Sequence, residues 1–299
     1  MQNPCKEEVT SNGKCCLCKG GRSEIFLETP GGNYLRCVNC GLVLFDNIPD
    51  MSEIKSIYCD EYFTEKKGNG CGADFLGEEH LYLARFKNRL ERIEKKIAKG
   101  RILDIGASVG QFLFAAKERG WDISGVEVSA AAVQMAKQRY GINIQAGALE
   151  DARIQEGPFD VITLWHVFEH FPGPVQALKK IHALLKKDGC LVMEVPNIGS
   201  REALLNGANW AYLRPGEHLY HYTRDTITGT LEAAGFTVET IEYGSGGTGI
   251  GEKMDRLGMG RVKKLLSKFR IAKWLRAAAL FLTAKGSKEV MIVFARKKG

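Results

Sequence analysis

The sequence lacks any uninterrupted apolar run of transmembrane length, so we expect no membrane-spanning helix. Its first residues have neither the basic start nor the apolar core of a secretory signal peptide, which favours a cytoplasmic location. Nine cysteines in a reducing compartment are poor evidence for disulfides. An ordered spacing among them would therefore indicate a metal site or catalysis.

Acidic residues are scarce at one end of the sequence, and this imbalance produces the net charge of +7. Residues 252–299 hold 14 Lys and Arg against 3 Asp and Glu. Residues 253–284 place apolar side chains at helical spacing with basic side chains between them, so we expect a basic amphipathic helix inserted at 252–285. Such a helix can lie on the anionic inner face of a membrane, or it can cover the sheet or a dimer partner. The sequence alone does not decide between membrane binding and packing against protein.

Four cysteines form two C-x-x-C pairs, Cys15 with Cys18 and Cys37 with Cys40, separated by 18 residues. This spacing is typical of a zinc ribbon that binds one Zn²⁺. Cys16 could replace Cys15 as a ligand, but only Cys15 gives the two-residue gap. Four thiolates leave no open coordination position, so the zinc would be structural and not catalytic. Because few basic residues surround the pairs, the ribbon's charge argues against nucleic acid as a partner.

The residue pattern divides the chain into three regions. We expect a zinc ribbon at 1–45, a linker and amphipathic helix at 46–99, and the main domain at 100–299. The apolar residues of the helix recur every three to four positions, at Leu83, Phe86, Leu90, Ile93 and Ile97. After position 100, apolar β-like runs alternate with helical segments. This alternation is typical of a parallel sheet covered by helices on both faces.

The stretch GASVG at 106–110 permits two interpretations. It matches the G-x-S-x-G of a hydrolase nucleophile elbow, in which Ser108 would attack the substrate. It also matches a glycine turn at a nucleotide site, which requires an acidic residue at the end of the second strand. The stretch follows the first strand of the sheet, no oxyanion loop precedes it, and Glu127 lies 21 residues after Gly106. These observations favour the nucleotide site, although the dinucleotide pattern G-x-G-x-x-G is missing here.

The successive motifs LDIGASVGQFL, GVEVS, FDVITLWHVFEHFPG and LVMEVPN resemble those of class I S-adenosylmethionine-dependent methyltransferases of the methyltransferase-23 type. The resemblance covers about 101–243 and the last strand. It implies an α/β, Rossmann-like sheet of seven strands, in which the final strand, EVMIVFARK, lies antiparallel beside the fifth. Ser108 departs from the family pattern, which often has a third glycine there.

The resemblance also implies a site for S-adenosylmethionine at the carboxyl edge of the sheet. The implied cofactor-binding residues are Asp104, Gly106, Ala107, Gly110, Glu127, Val128, Ala148, Leu149, Glu150, Trp165 and His166. The residues from Asp104 to Gly110 would frame the methionine and ribose end, and Glu127 would bind the ribose hydroxyls. Residues 148–150 would lie beside the adenine. Trp165 and His166 would close the fourth strand next to the amino-acid end of the cofactor.

A sulfonium methyl is already activated, so the protein needs mainly to position the acceptor and remove its proton. Histidine suits the second task near neutral pH. His218 in the aromatic segment WAYLRPGEHLYHYT is our leading base, tuned by Glu217, because this pair is similar to the base of zinc-containing sugar C-methyltransferases. His166 and His170 are further catalytic candidates, although Glu169 with His170 could instead cap the following helix.

A zinc ribbon ahead of this methyltransferase pattern resembles bacterial enzymes that act on sugars, surface glycans or related small metabolites, so we expect a small sugar-like or surface-glycan-related acceptor. One alternative is an O-methyltransferase of a quinone or lipid-like phenol at the membrane surface. A second is a protein that binds the cofactor without methylating. The fourth-strand motif LWHVFEH lacks the N/D-P-P-Y/F pattern of enzymes that methylate base amino groups, which again argues against nucleic acid.

Overall fold

A computed structural model describes residues 14–49, 53, 79–151, 154, 157–244 and 288–298. The basic helix predicted within 252–285 lies outside these residues, and so does most of the predicted linker. Within the described part of the chain, no helix is long and apolar enough to cross a membrane.

The cysteine-rich region forms a small antiparallel meander, with the strands β1 (Ser23–Thr29), β2 (Gly32–Cys37) and β3 (Val43–Phe45). The turn that contains Cys15 and Cys18 precedes β1, and Cys37 ends β2. The two C-x-x-C turns therefore meet at one end of the meander.

Eight further strands follow: β4 (Arg101–Ile105), β5 (Asp122–Glu127), β6 (Gln145–Ala146), β7 (Phe159–Trp165), β8 (Leu185–Pro196), β9 (Tyr220–His221), β10 (Phe236–Gly244) and β11 (Val290–Lys297). All except β9 belong to one seven-stranded sheet, in the order β10-β11-β8-β7-β4-β5-β6. The strands from β4 to β8 are parallel, and β11 is antiparallel to both β8 and β10. The predicted α/β class, the seven strands and the antiparallel last strand are confirmed.

The described helices are α1 (Glu79–Glu94), α2 (Gln111–Glu118), α3 (Ala130–Tyr140), α4 (Pro174–Leu184), α5 (Arg201–Asn206) and α6 (Arg224–Ala233), with 3₁₀ turns at Phe168–His170 and Gly207–Asn209. Alternate residues of β4 face two hydrophobic clusters. Ile102 packs in the cluster with α1, α2 and α3, whereas Leu103 packs in the cluster with α4 and α6. Two helical layers thus cover the sheet, as the alternation predicts.

Helix α1 forms where the apolar period predicts a helix, and it ends at Glu94. Leu90 and Ile93 are fully buried in the cluster between α1 and the sheet. Burial of each such side chain contributes roughly 1.5–3 kcal/mol. The period therefore identifies the face of α1 that packs on the main domain.

A long excursion, residues 197–223, connects β8 to α6 and includes α5 and β9. Strand β9 pairs with β3, so that Val43 faces His221 and Leu44 faces Tyr220 in an antiparallel register. The meander and β9 together make a four-stranded sheet. The cysteine module consequently packs on the excursion, which also carries His218.

Candidate active site

The glycine loop between β4 and α2 depends on left-handed backbone. Gly106 has a φ of 71° and Gly110 a φ of 81°, and Ser108 between them has a φ of 50°. A Cβ at Gly106 would overlap both methyl groups of Val167, which follows β7. Glycine is needed at Gly106 for conformation and for space, whereas Ser108 tolerates a backbone that glycine adopts at lower cost.

Glu127 fixes the loop from the end of the neighbouring strand β5. One carboxylate oxygen accepts a hydrogen bond from the Ser108 N–H at 2.8 Å, and the other accepts one from the Ser129 N–H at 2.9 Å. Burial raises the pKa of Glu127, while these backbone donors act in the opposite direction. The carboxylate therefore lies at the carboxyl edge of β4 and β5, where the resemblance predicts ribose binding.

Asp104 lies beneath the same loop on β4. It is buried, and its carboxylate accepts a hydrogen bond from the Thr163 hydroxyl at 2.6 Å. Burial raises the pKa of Asp104 to about 8, although the Thr163 hydroxyl opposes the shift. A buried carboxylate without a basic partner in hydrogen-bonding contact can counter a positively charged ligand.

The remaining predicted cofactor residues lie along the same edge. The Ala107 N–H donates to the Val126 carbonyl, next to Glu127 and Val128. The Gly147 N–H donates to the Glu127 carbonyl at 2.8 Å, which brings the buried pair Ala148 and Leu149 close to β5, with the exposed Glu150 after them. Trp165 at the end of β7 packs on Phe112 at a ring distance of 5.1 Å, so its indole also belongs to the core.

His166 lies in a chain of alternating charges at the end of β7. Its Nε2 is 2.9 Å from a Glu194 oxygen, and its Nδ1 is 3.4 Å from a Glu169 oxygen. Burial alone would lower the pKa of His166, but these two carboxylates raise it to about 9. Glu194 also pairs with the buried Arg89 of α1 through two hydrogen bonds. His166 is thus held as a cation, which suits it to positioning and electrostatics more than to accepting a proton.

His218 and His170 come together from different elements. Their rings meet edge to face with centroids 4.7 Å apart, His170 from the 3₁₀ turn after β7 and His218 from the excursion. His218 is buried, and its Nδ1 has no hydrogen-bond partner in the described part of the chain. Burial, aided by the neighbouring His170 and Arg214, lowers the pKa of His218 well below its usual value, so the ring is neutral.

Glu217 does not contact the His218 ring through its carboxylate. Its side chain forms an ion pair with Arg214, and its backbone carbonyl accepts a hydrogen bond from Nδ1 of His170 at 2.8 Å. The prediction that the Glu217 carboxylate adjusts the pKa of His218 is therefore not supported by a direct contact between the two side chains. The buried carboxylate near His218 is that of Glu169.

The four predicted zinc ligands lie together at the end of the meander. Their sulfur atoms are within 4.8 Å of one another, with 3.6 Å between Cys15 and Cys40 and 3.5 Å between Cys18 and Cys37. Zn–S bonds of about 2.3 Å place the sulfurs of a tetrahedral site about 3.8 Å apart. The spacing fits one Zn²⁺. Cys16 lies outside this cluster, as the two-residue gap predicts.

Residues 76–241 match the family Methyltransf_23, described as a methyltransferase domain, and this match covers more than half of the chain. The chain belongs to this methyltransferase family. S-adenosylmethionine is the methyl donor that the family implies. Membership of this family favours the glycine turn of a methyltransferase over the hydrolase elbow as the interpretation of GASVG.

Curated relatives of this methyltransferase include proteins named ubiquinone biosynthesis O-methyltransferase. The one from Coxiella burnetii is 32% identical over 143 residues, which cover 44% of this chain and 61% of the relative. The one from Haemophilus ducreyi is 29% identical over 107 residues, 32% of this chain and 45% of the relative. The matches thus span about half of these relatives' length.

Solved methyltransferases share the fold at low identity. The plantazolicin methyltransferase BpumL, in complex with SAH, is 16% identical with a TM-score of 0.52, covering 83% of this chain and 96% of that protein. A SAM-dependent methyltransferase from Archaeoglobus fulgidus is 21% identical with a TM-score of 0.50, covering 75% of this chain and 99% of that one. At these identities the likeness establishes the methyltransferase fold alone.

Two features of this methyltransferase had no local signal in the sequence. The Tyr34 hydroxyl on β2 lies 2.5 Å from the Leu213 carbonyl and 3.0 Å from the His218 carbonyl, both in the excursion. Arg89 and Glu194 are 105 residues apart in sequence and form a buried pair. Amphipathic spacing of α1 identifies its buried face but gives no reason to expect an arginine on it.

Proposed function

We propose that this methyltransferase transfers the methyl group of S-adenosylmethionine to a hydroxyl oxygen of a small quinone- or phenol-like acceptor. The observation that carries the proposal is the buried imidazole of His218, whose Nδ1 lacks a hydrogen-bond partner within the described residues. A neutral imidazole can accept the hydroxyl proton of an acceptor. The Glu169 carboxylate, within 4.8 Å, would stabilise the imidazolium that forms.

Two observations support an oxygen acceptor over the sugar-like acceptor of our first expectation. The curated relatives reported above are named O-methyltransferases. The likeness of the Glu217–His218 pair to the base of sugar C-methyltransferases is weakened, because the Glu217 side chain pairs with Arg214. The excursion also offers aromatic surface to a planar acceptor, since Tyr212 stacks on His166 at a ring distance of 5.6 Å.

The basic segment at 253–284 supports a lipid-like version of this acceptor. Its apolar residues at helical spacing and its Lys and Arg residues suit an anionic lipid surface. Flotation of the full chain with vesicles tests this part of the proposal. Binding to anionic but not to neutral vesicles supports a lipid-like acceptor, and no flotation with either favours a water-soluble one.

We infer that the four-cysteine cluster holds a structural Zn²⁺. The four sulfurs complete a tetrahedral shell and leave no position for a substrate, so the ion would stabilise the meander and not take part in methyl transfer. Because β3 pairs with β9, a stable meander also supports the excursion that carries His218.

An acceptor screen with methyl-labelled cofactor tests the proposed reaction. Catechols and hydroquinones should gain label, whereas nucleotide sugars should not. His218→Ala should abolish transfer and leave cofactor affinity unchanged, while His80→Ala, at an exposed position on α1, should leave both unchanged. Transfer of label to a nucleotide sugar would instead favour the sugar-like acceptor. Cofactor binding without product from any acceptor would indicate a non-catalytic binding protein.

A further inference from the structure

Three side chains beside the predicted acceptor site have the composition of a metal site. Glu169 and His170 lie on the 3₁₀ turn after β7, and His218 comes from the excursion. One potential ligand atom from each lies within 4.8 Å of the other two. This cluster contains no cysteine and is separate from the four-cysteine site.

A second, independent observation points to a ligand among these three residues. The Glu169 side chain is fully buried, and neither carboxylate oxygen has a hydrogen-bond partner among the described residues. Its carboxylate forms an ion pair with Nδ1 of His166 at the long distance of 3.4 Å, and the other nitrogen of that ring is bound to Glu194. The imidazolium of His166 therefore compensates two carboxylates at once, and both Glu169 oxygens still lack a hydrogen bond, so this buried carboxylate would be stabilised by a further cation.

The imidazole of His218 also has a buried polar atom without a hydrogen bond. Its Nδ1 is buried and has no hydrogen-bond partner in the described part of the chain. Two oxygens and one nitrogen that could bind a cation are therefore buried together. A cation bound by all three side chains would satisfy them at once.

The hydrogen bond of His170 is typical of a metal-binding histidine. Its Nδ1 lies 2.8 Å from the Glu217 carbonyl, which can only accept, so Nδ1 carries the proton and Nε2 carries the lone pair. A backbone carbonyl that fixes the tautomer in this way is a usual partner of ligating histidines. The Glu217 side chain is held by Arg214, which helps to keep the carbonyl in place.

We propose that Glu169, His170 and His218 bind one divalent first-row transition metal ion. Two imidazoles and one carboxylate are ligands that Zn²⁺, Fe²⁺, Co²⁺ and Ni²⁺ accept and that Mg²⁺ and Ca²⁺ do not prefer. Ligand atoms around such an ion are roughly 3–3.5 Å apart, so small side-chain rotations would close the present spacing. Three protein ligands leave coordination positions open to a further oxygen ligand.

The role of this ion in catalysis rests on the proposed function, but its binding does not. An open position beside the acceptor site would let the metal bind the acceptor hydroxyl and lower its pKa. His218 would then serve as a ligand and not as the base, and the proton of the metal-bound hydroxyl would pass to water. The two roles of His218 exclude each other, and metal binding decides between them.

Cobalt titration of the full, metal-free chain tests the proposal. The wild-type chain should bind two Co²⁺ ions, one with the thiolate charge-transfer band of the four-cysteine site and one with only the weaker visible bands of nitrogen and oxygen ligands. Glu169→Gln and His218→Ala should each retain the thiolate band and weaken the second site more than about 100-fold, since even an outer partner of a metal site contributes 10–100-fold. His182→Ala on α4, outside the cluster, should bind two ions as the wild type does.

Metal counting after dialysis against Zn²⁺ gives a second measurement that does not depend on turnover. The wild type should contain two zinc ions. Cys18→Ser should bind metal more weakly at the four-cysteine site, with a smaller thiolate band in the cobalt spectrum, and should keep the second site intact. A wild type that binds one ion, or cluster variants that still bind two with full affinity, would overturn the proposal. Metal binding without methylation of any phenol would leave this site standing and remove the proposed function instead.

Discussion

Ser108 has a backbone conformation that favours glycine, with a φ of 50°. Such a conformation costs a residue other than glycine roughly 1–2 kcal/mol. The N–H of Ser108 donates to Glu127, so the strained backbone aims a donor at the carboxylate predicted to bind ribose. This arrangement explains how the loop retains its shape where the family often has a third glycine.

Gly106→Ala should weaken cofactor binding at least about tenfold, equivalent to about 1.4 kcal/mol. The added Cβ meets Val167 and cannot relax easily, because the φ of 71° is itself unfavourable for alanine. Gly141→Ala is the matched control, since Gly141 has a φ of 63° but open space around it. It should lose about 1 kcal/mol of stability and no affinity. Calorimetric titration with S-adenosylmethionine measures both variants, and equal affinities would contradict the clash.

Asp104 should make cofactor affinity depend on pH. Its pKa of about 8, raised by burial, means that it is mainly protonated at neutral pH. A ligand that carries sulfonium and ammonium charges favours the carboxylate, so affinity should rise by up to about tenfold per pH unit up to pH 8 and then level off. The stability of the ligand-free protein should change in the opposite direction. Its free energy of unfolding should fall as the pH rises from about 4 to 8, because Asp104 ionises more readily in the unfolded chain. Dissociation constants from pH 6 to 9 measure the effect. Asp104→Asn should give a flat profile, and a flat wild-type profile would refute the assignment.

At the scale of elements, the pairing of β3 with β9 connects the cysteine module to the excursion that carries the proposed acceptor site. Val43 and Leu44 pair with His221 and Tyr220, and the Tyr34 hydroxyl reaches the carbonyls of Leu213 and His218. Both partners of Tyr34 are in the segment that positions His218. The module therefore acts as a support for the excursion, in addition to any stability it gains from zinc.

Tyr34→Phe should lower the free energy of unfolding by about 1–3 kcal/mol, because two buried carbonyls lose their shared donor. It should also lower the rate of methyl transfer, since the His218 backbone is then less well held, while cofactor affinity stays unchanged. Tyr140→Phe makes the same change on α3, where the hydroxyl bonds Glu79 far from the excursion. Denaturant unfolding and turnover are measured for both. A similar loss of turnover in the two variants would show that stability alone is responsible.

The elements of this chain were largely predictable, whereas contacts between distant segments were not. Helix α1 and the strands follow from apolar periods, and Cys15, Cys18, Cys37 and Cys40 from their spacing, because these signals lie within a few residues of each other. The meeting of Glu169 with His218 depends on how the excursion folds back on the turn after β7. Short-range patterns carry no information on such a return, so the sequence suggested Glu217 as the partner of His218 and missed Glu169.

At the scale of the whole molecule, a chain of charges runs from the outer helix layer to the site. Arg89 of α1 is buried and pairs with Glu194 at the end of β8, which in turn contacts His166. Burial alone would raise the pKa of Glu194, but Arg89 and His166 lower it to about 2. The Arg89–Glu194 ion pair thus attaches α1 to the carboxyl edge of the sheet. The orientation of His166 depends on this ion pair, because His166 also contacts Glu194.

Arg89→Met should destabilise the protein by roughly 3–5 kcal/mol, because it leaves Glu194 buried without its main cation. Arg89→Met combined with Glu194→Met should recover most of this loss, since no unpaired charge then remains in the interior. Arg92→Met on the same helix is the control. Its ion pair with Glu242 is about one-third exposed, so its removal should cost less than about 1 kcal/mol. Urea unfolding of the four proteins measures the differences. If the double variant is no more stable than Arg89→Met, the cost lies in lost packing on Trp165 and not in the uncompensated carboxylate.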